Sequence, residues 1–207
     1  MLHTHFIPAA QADSRRLLVM LHGLGDSLNG YLWMPEALRL PWLNYLLVNA
    51  PDAYYGGYSW YDFAGDPTSG IRRSTQLLAR VLDYLPGRGF PTELTTLGGF
   101  SQGCLMALEV GCRYPQRLAG IVGISGYVHA PQTLLQQLSP VARQQRFLIT
   151  HGTHDPLLPI APSRQQVAAL KAAGLDIQWR EFAKDHTIAG AEELDPIRDF
   201  IHAGYPE

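Results

Sequence analysis

Apolar positions along the chain alternate between two patterns. Short runs that are mostly apolar, without a polar face, occupy residues 17–21 (LLVML), 45–48 (YLLV), 94–97, 118–124, 146–150 and 177–182. Most stop at Gly or a polar residue. Runs of this kind predict strands of a parallel sheet covered on both faces. Between them lie stretches with helical spacing. Residues 70–85 place Leu77, Leu78, Val81, Leu82 and Leu85 on one side, and residues 102–113 form a second such stretch. Residues 163–173 follow Pro162 and stop at Gly174. Residues 192–202 direct Ile197, Phe200 and Ile201 inward, with Pro196 predicting a kink or a late start. Strand–helix alternation of this kind predicts an α/β fold: a mostly parallel central sheet with helices on both faces. Residues 50–69, rich in Gly, aromatics and Pro, read as a long irregular loop.

Length and charge narrow the picture. A chain of 207 residues suits one domain over 1–207, with no repeat and no linker. A net charge of −2 provides no broad basic field, so a nucleic-acid partner is not expected. No run of about 20 apolar residues spans a bilayer, so no integral membrane association is expected. The first residues, MLHTHFIPAAQADSRR, lack the basic start and apolar run of a signal peptide. Cys104 and Cys112 lie eight positions apart on one predicted helix. That separates their Cα atoms by roughly 12 Å, too far for a disulfide. Unpaired thiols fit a reducing, cytoplasmic setting.

The chemistry centres on Gly99-Phe100-Ser101-Gln102-Gly103, a G-x-S-x-G between a predicted strand and a predicted helix. A sharp strand-to-helix turn exposes the serine Oγ, and the glycines let the two backbones approach. An acid and a base are then sought later in the chain, on loops leaving neighbouring strand ends. Asp155 follows the run at 146–150, and His186 follows the run at 177–182. A neutral His186 would take the serine proton and return it to the leaving group. Asp155 would hold the ring's tautomer. His151 and His154 precede Asp155 and hint at a metal site, but no further ligand cluster accompanies them, so they read as structural. Cys104, inside the first helical turn, reads as packing. His22-Gly23-Leu24-Gly25-Asp26, after the first strong strand, suits an oxyanion loop. Backbone N–H groups of Leu24 and Gln102 are the expected donors.

Taken together, HGLGD at 22–26, NAP at 49–51, SWYDF at 59–63, GGFSQG at 98–103, ISGY at 124–127 and HGTHDPLLP at 151–159 resemble the carboxylesterase/phospholipase family of α/β-hydrolases, which includes acyl-protein thioesterases and lysophospholipases. The resemblance covers nearly the whole chain. It implies Ser101, Asp155 and His186 as triad, Leu24 and Gln102 as oxyanion donors, and no cofactor or metal. Asp185 stands where the family commonly has Gly before the base, and Cys104 where it commonly has Gly or another small residue. The expected reaction is cleavage of esters or thioesters of short-to-medium acyl chains through an acyl-enzyme. Lysophospholipid or acylated protein are alternative substrates, and the chain is expected to be a monomer or homodimer. A peptidase, or a non-catalytic binder on the same fold, is the competing reading. The aromatic stretch at 53–63 is expected to help wall the acyl pocket, with Leu28, Tyr58, Trp60 and Leu157 as candidate substrate contacts.

Overall fold

The computed structural model describes residues 2–205. In chain order the elements are β1 (Thr4–Ile7), β2 (Arg16–Leu21), α1 (Met34–Leu38), β3 (Leu43–Val48), β4 (Asp52–Tyr54), β5 (Gly57–Ser59), α2 (Thr68–Tyr84), β6 (Thr95–Phe100), α3 (Gln102–Arg113), β7 (Gly120–Ile124), α4 (Pro131–Gln136), β8 (Arg146–Gly152), α5 (Ile160–Ala172), β9 (Asp176–Phe182) and α6 (Ala191–His202). Seven strands form one sheet in the order β1-β3-β2-β6-β7-β8-β9. All neighbouring pairs are parallel except β1 against β3. This is the mostly parallel sheet expected from the strand–helix alternation, and it agrees with the α/β-hydrolase fold that the resemblance implies.

The apolar strands are explained by cover on both faces. Leu17, Val19 and Leu21 of β2 enter one core with Leu78 and Leu82 of α2, most of α3, and Val167 and Leu170 of α5. Leu18 and Met20, between them in sequence, enter the opposite core with Met34 and Leu38 of α1 and Ile197, Phe200 and Ile201 of α6. Strand order reverses at β2: β3 pairs on one side and β6 on the other. Ligands of open α/β sheets bind outside the carboxyl ends of strands at such a switch point. Here those ends carry the loop that starts at His22, and Ser101.

Several elements differ from the sequence reading. The segment at 50–69 is not wholly irregular: β4 and β5 form an antiparallel hairpin, and α2 begins at Thr68. β1, an exposed edge strand, lacks the apolar run that marked the others. α5 begins at Ile160, before Pro162, because the first helical N–H groups need no intrahelical acceptor and Pro is tolerated there. α6 runs through Pro196 at the cost of one helical hydrogen bond.

Candidate active site

β6 ends at Phe100 and α3 starts at Gln102, so Ser101 alone makes the turn. Its backbone stands at φ 55°, ψ −116°, a left-handed conformation that costs a non-glycine residue energy. The surrounding structure holds it there. Ser101 N–H donates to Ile124 O at 2.9 Å, and Leu105 N–H donates to Ser101 O at 3.2 Å. A Cβ on Gly103 would stand 2.3 Å from Leu21 O, and one on Gly99 would stand 2.1 Å from Gly103 O. Only glycine lets β2, β6 and α3 converge this closely.

The loops after β8 and β9 bring the two partners to the serine. His186 Nε2 lies 2.9 Å from Ser101 Oγ, and His186 Nδ1 lies 2.7 Å from Asp155 Oδ2. With the Nδ1 proton donated to Asp155, Nε2 is free to accept from Ser101. The other oxygen, Asp155 Oδ1, accepts the N–H groups of Leu157 at 3.0 Å and Leu158 at 2.9 Å. Burial raises the Asp155 pKa, but the Leu158 N–H, His186 and the Leu157 N–H outweigh it and hold the carboxyl below its ordinary range. Asp155 therefore stays ionised beside the imidazole. Asp185 does not adopt a left-handed φ, so its standing in for glycine brings no backbone strain.

His151, the rival imidazole, is fully buried and bonds Leu158 O through Nε2 at 2.8 Å. Burial lowers its pKa and keeps it neutral. It braces the Asp155 loop from behind. His154 is exposed, and among the described residues no group of three or more His, Cys, Asp or Glu side chains could hold a metal ion. Cys104 is buried under the serine turn, with the site of a Gly126 Cβ only 2.4 Å from its Sγ.

The loop after β2 is fixed by its own buried histidine. His22 Nε2 accepts Ala50 N–H at 3.0 Å, which places the ring proton on Nδ1, where it donates to Gly23 O at 2.6 Å. Burial lowers the pKa of this ring and keeps it neutral. The β4–β5 hairpin clamps the same loop: Gly25 N–H donates to Tyr58 O and Tyr58 N–H donates to Asp26 O, each at 2.9 Å. Among the described residues Leu24 N–H has no acceptor, and Gln102 N–H, first in α3, has no carbonyl one turn earlier. Leu24, Gln102, Ser101 and His186 all line one cleft of about 330 Å³. The Gln102 side chain faces away into the protein. Its Oε1 accepts from Trp60 N–H at 3.0 Å and its Nε2 donates to Tyr61 O at 3.1 Å.

The cleft walls correct the sequence reading. Leu157 lines the cleft, but Leu28, Tyr58 and Trp60 do not. Trp60 is fully buried and donates Nε1–H to His22 O at 2.9 Å, so its ring fills core beneath the loop. Leu28 packs inward with α1 and α6, its N–H bound by Asn49 Oδ1 at 2.7 Å. Tyr58 is tied into the hairpin and packs against the core beside His22. The walls are instead Tyr61, Phe63, Phe100, Tyr127, Leu157 and Leu158. The GFSQG and ISGY motifs already contained Phe100 and Tyr127. Nothing in the letters says which way either ring points.

Comparison with known proteins agrees with this architecture. A family model described as phospholipase/carboxylesterase matches residues 2–204. The chain is 35% identical over 155 residues to an acyl-protein thioesterase 1 of Schizosaccharomyces pombe, covering 69% of each chain. It is 29% identical over 222 aligned positions to that of Yarrowia lipolytica, covering 97% of this chain and 96% of the relative. Among solved structures, the esterase PE8 superposes with a TM-score of 0.85 at 29% identity, covering 99% of both chains. An acyl-protein thioesterase 2 of Zea mays superposes with a TM-score of 0.81 at 26% identity, covering 98% of both. The match along nearly the full length places the chain in the phospholipase/carboxylesterase family of α/β-hydrolase enzymes.

Proposed function

We propose that the chain is a serine hydrolase that cleaves carboxylic esters or thioesters through an acyl-enzyme. The observation that carries this reading is the continuous hydrogen-bonded line Ser101–His186–Asp155, at 2.9 and 2.7 Å, opening on an apolar cleft. In the first half-reaction Ser101 Oγ attacks the acyl carbonyl carbon while its proton passes to His186 Nε2. The carbonyl oxygen becomes an oxyanion and accepts hydrogen bonds from the N–H groups of Leu24 and Gln102. His186 then gives the proton to the departing alcohol or thiol, and the acyl group stays on Ser101. Water, deprotonated by His186, attacks the same carbon, and collapse returns the acid and the free serine. Asp155 stays ionised and supports the imidazolium formed in each half.

A cleft of about 330 Å³ lies at the small end of ligand sites, which supports short-to-medium acyl chains. Its rim is open: Leu157 is 69% and Phe63 59% exposed. A leaving group can therefore remain in solvent, whether it is a small alcohol, a lysophospholipid headgroup or a protein cysteine. Among the described residues no helix is long and apolar enough to cross a membrane. The free, buried thiols support a reducing, cytoplasmic setting.

The test is hydrolysis of p-nitrophenyl esters and thioesters of increasing acyl length, beside Ser101→Ala. Activity should fall at least about a thousandfold in the variant. Activity that survives, or a protein inert toward every ester and thioester, would refute the reading.

A further inference from the structure

Behind the base loop lies an ion pair that no motif marks. Lys184 is 6% exposed and Glu193, in the first turn of α6, is fully buried. Lys184 Nζ donates to Glu193 Oε1 at 2.6 Å, to Glu193 Oε2 at 2.8 Å and to Thr187 O at 2.7 Å, which uses all three ammonium protons. Glu193 Oε2 also accepts Ala189 N–H at 2.7 Å. The loop is held on its other side as well. His154 N–H donates to Lys184 O at 3.2 Å, and a Cβ on Gly152 would stand 2.3 Å from that oxygen. His186 thus lies within a segment pinned at residues 184, 187 and 189, between α6 and the loop of Asp155.

Stability alone does not account for such a pair. Desolvation opposes two buried charges, and apolar residues of similar volume often serve the fold as well or better. What apolar residues cannot supply is the pair of directed hydrogen bonds to Thr187 O and Ala189 N–H. Those bonds fix the backbone that flanks the imidazole.

We propose that Lys184 and Glu193 are positioning residues, holding the 184–189 loop so that His186 Nε2 remains within hydrogen-bond reach of Ser101 Oγ. The proposal rests on His186 acting as the base. An error of about 1 Å in such a group can cost roughly a hundredfold in rate. Neither residue lines the cleft, so the effect belongs in kcat.

The experiment compares the parent with Lys184→Met/Glu193→Leu, which replaces the pair by apolar residues of similar length. Thermal melting, kcat and KM on a short p-nitrophenyl ester, and the rate of fluorophosphonate labelling at Ser101 are measured on each. The double variant should melt within a few degrees of the parent, keep KM within about twofold, and lose about 10–100-fold in kcat and in labelling rate. A folded variant with kcat and labelling within about twofold of the parent, or with only KM raised, overturns the proposal. If the double variant does not fold, Lys184→Met, which removes the donor to Thr187 O and leaves the Glu193 acceptor toward Ala189 in place, is judged by the same criteria. His186→Ala separates the two failures. Parental activity in that variant removes the base assignment, and the positioning role with it. An inactive His186→Ala beside a fully active double variant removes the positioning role alone.

Discussion

At Trp60 a single buried donor holds the loop that carries Leu24. Its indole N–H meets the carbonyl of His22, the residue that opens the proposed oxyanion loop, and the same histidine fixes Ala50 N–H and Gly23 O through its ring. Replacing Trp60 by Phe keeps most of the ring volume and leaves that buried carbonyl unpaired, which costs about 1–3 kcal/mol. Because the freed backbone belongs to the loop that carries Leu24, kcat should drop while KM changes little. Denaturant unfolding and steady-state kinetics on Trp60→Phe check both halves. Unchanged stability together with unchanged kcat would mean that the loop is held by the hairpin alone. The same residue marks where sequence reading stopped. The convergence of Ser101, Asp155 and His186 was legible because each follows a recognisable strand run, in the chain order this fold uses, and it carries the proposed triad. Trp60 and Tyr61 were not separable as letters: adjacent in sequence, one fills core under the loop after β2 and the other lines the cleft. The path of the loop decides between them.

Among elements, the tightest junction is where β2, β6 and α3 meet under the serine. Gly103 has no room for a methyl group, since its Cβ would fall 2.3 Å from Leu21 O and 2.7 Å from His22 O. Both contacts are backbone atoms, which cannot rotate away. Gly103→Ala should therefore cost about 1–3 kcal/mol through strand or helix displacement, with a lower Tm and slower turnover. A variant with the parent's Tm and rate would show that the junction gives more easily than its geometry implies. Element prediction succeeded where burial on both faces wrote itself into composition, as in β2, β3 and β6–β8. It failed for β1 and the β4–β5 hairpin. β1 is mostly exposed and is held by backbone pairing with β3, and the hairpin lies over the loop after β2 and is joined to it by main-chain bonds. Main-chain pairing leaves no mark on side-chain pattern, so these strands had no signal to read.

At the scale of the whole molecule, the two thiols report on the fold. Cys104 and Cys112 are both fully buried, and burial pushes each thiol up to about 12. At neutral pH neither offers a thiolate, the form that reacts with disulfide reagents or iodoacetamide. The native protein should leave both unmodified, and both should react together once the sheet opens, at a rate that follows unfolding in denaturant. Fast reaction of one thiol under native conditions would reveal a local opening around α3. The order of the site along the chain carries a different consequence, one of timing. In chain order Ser101 is made first and Asp155 after it. The imidazole follows on a loop whose clamp, Glu193, is made later still. A growing chain therefore carries the proposed nucleophile without its proposed base held in place until α6 emerges, so on this assignment competence comes only once α6 has folded against the loop.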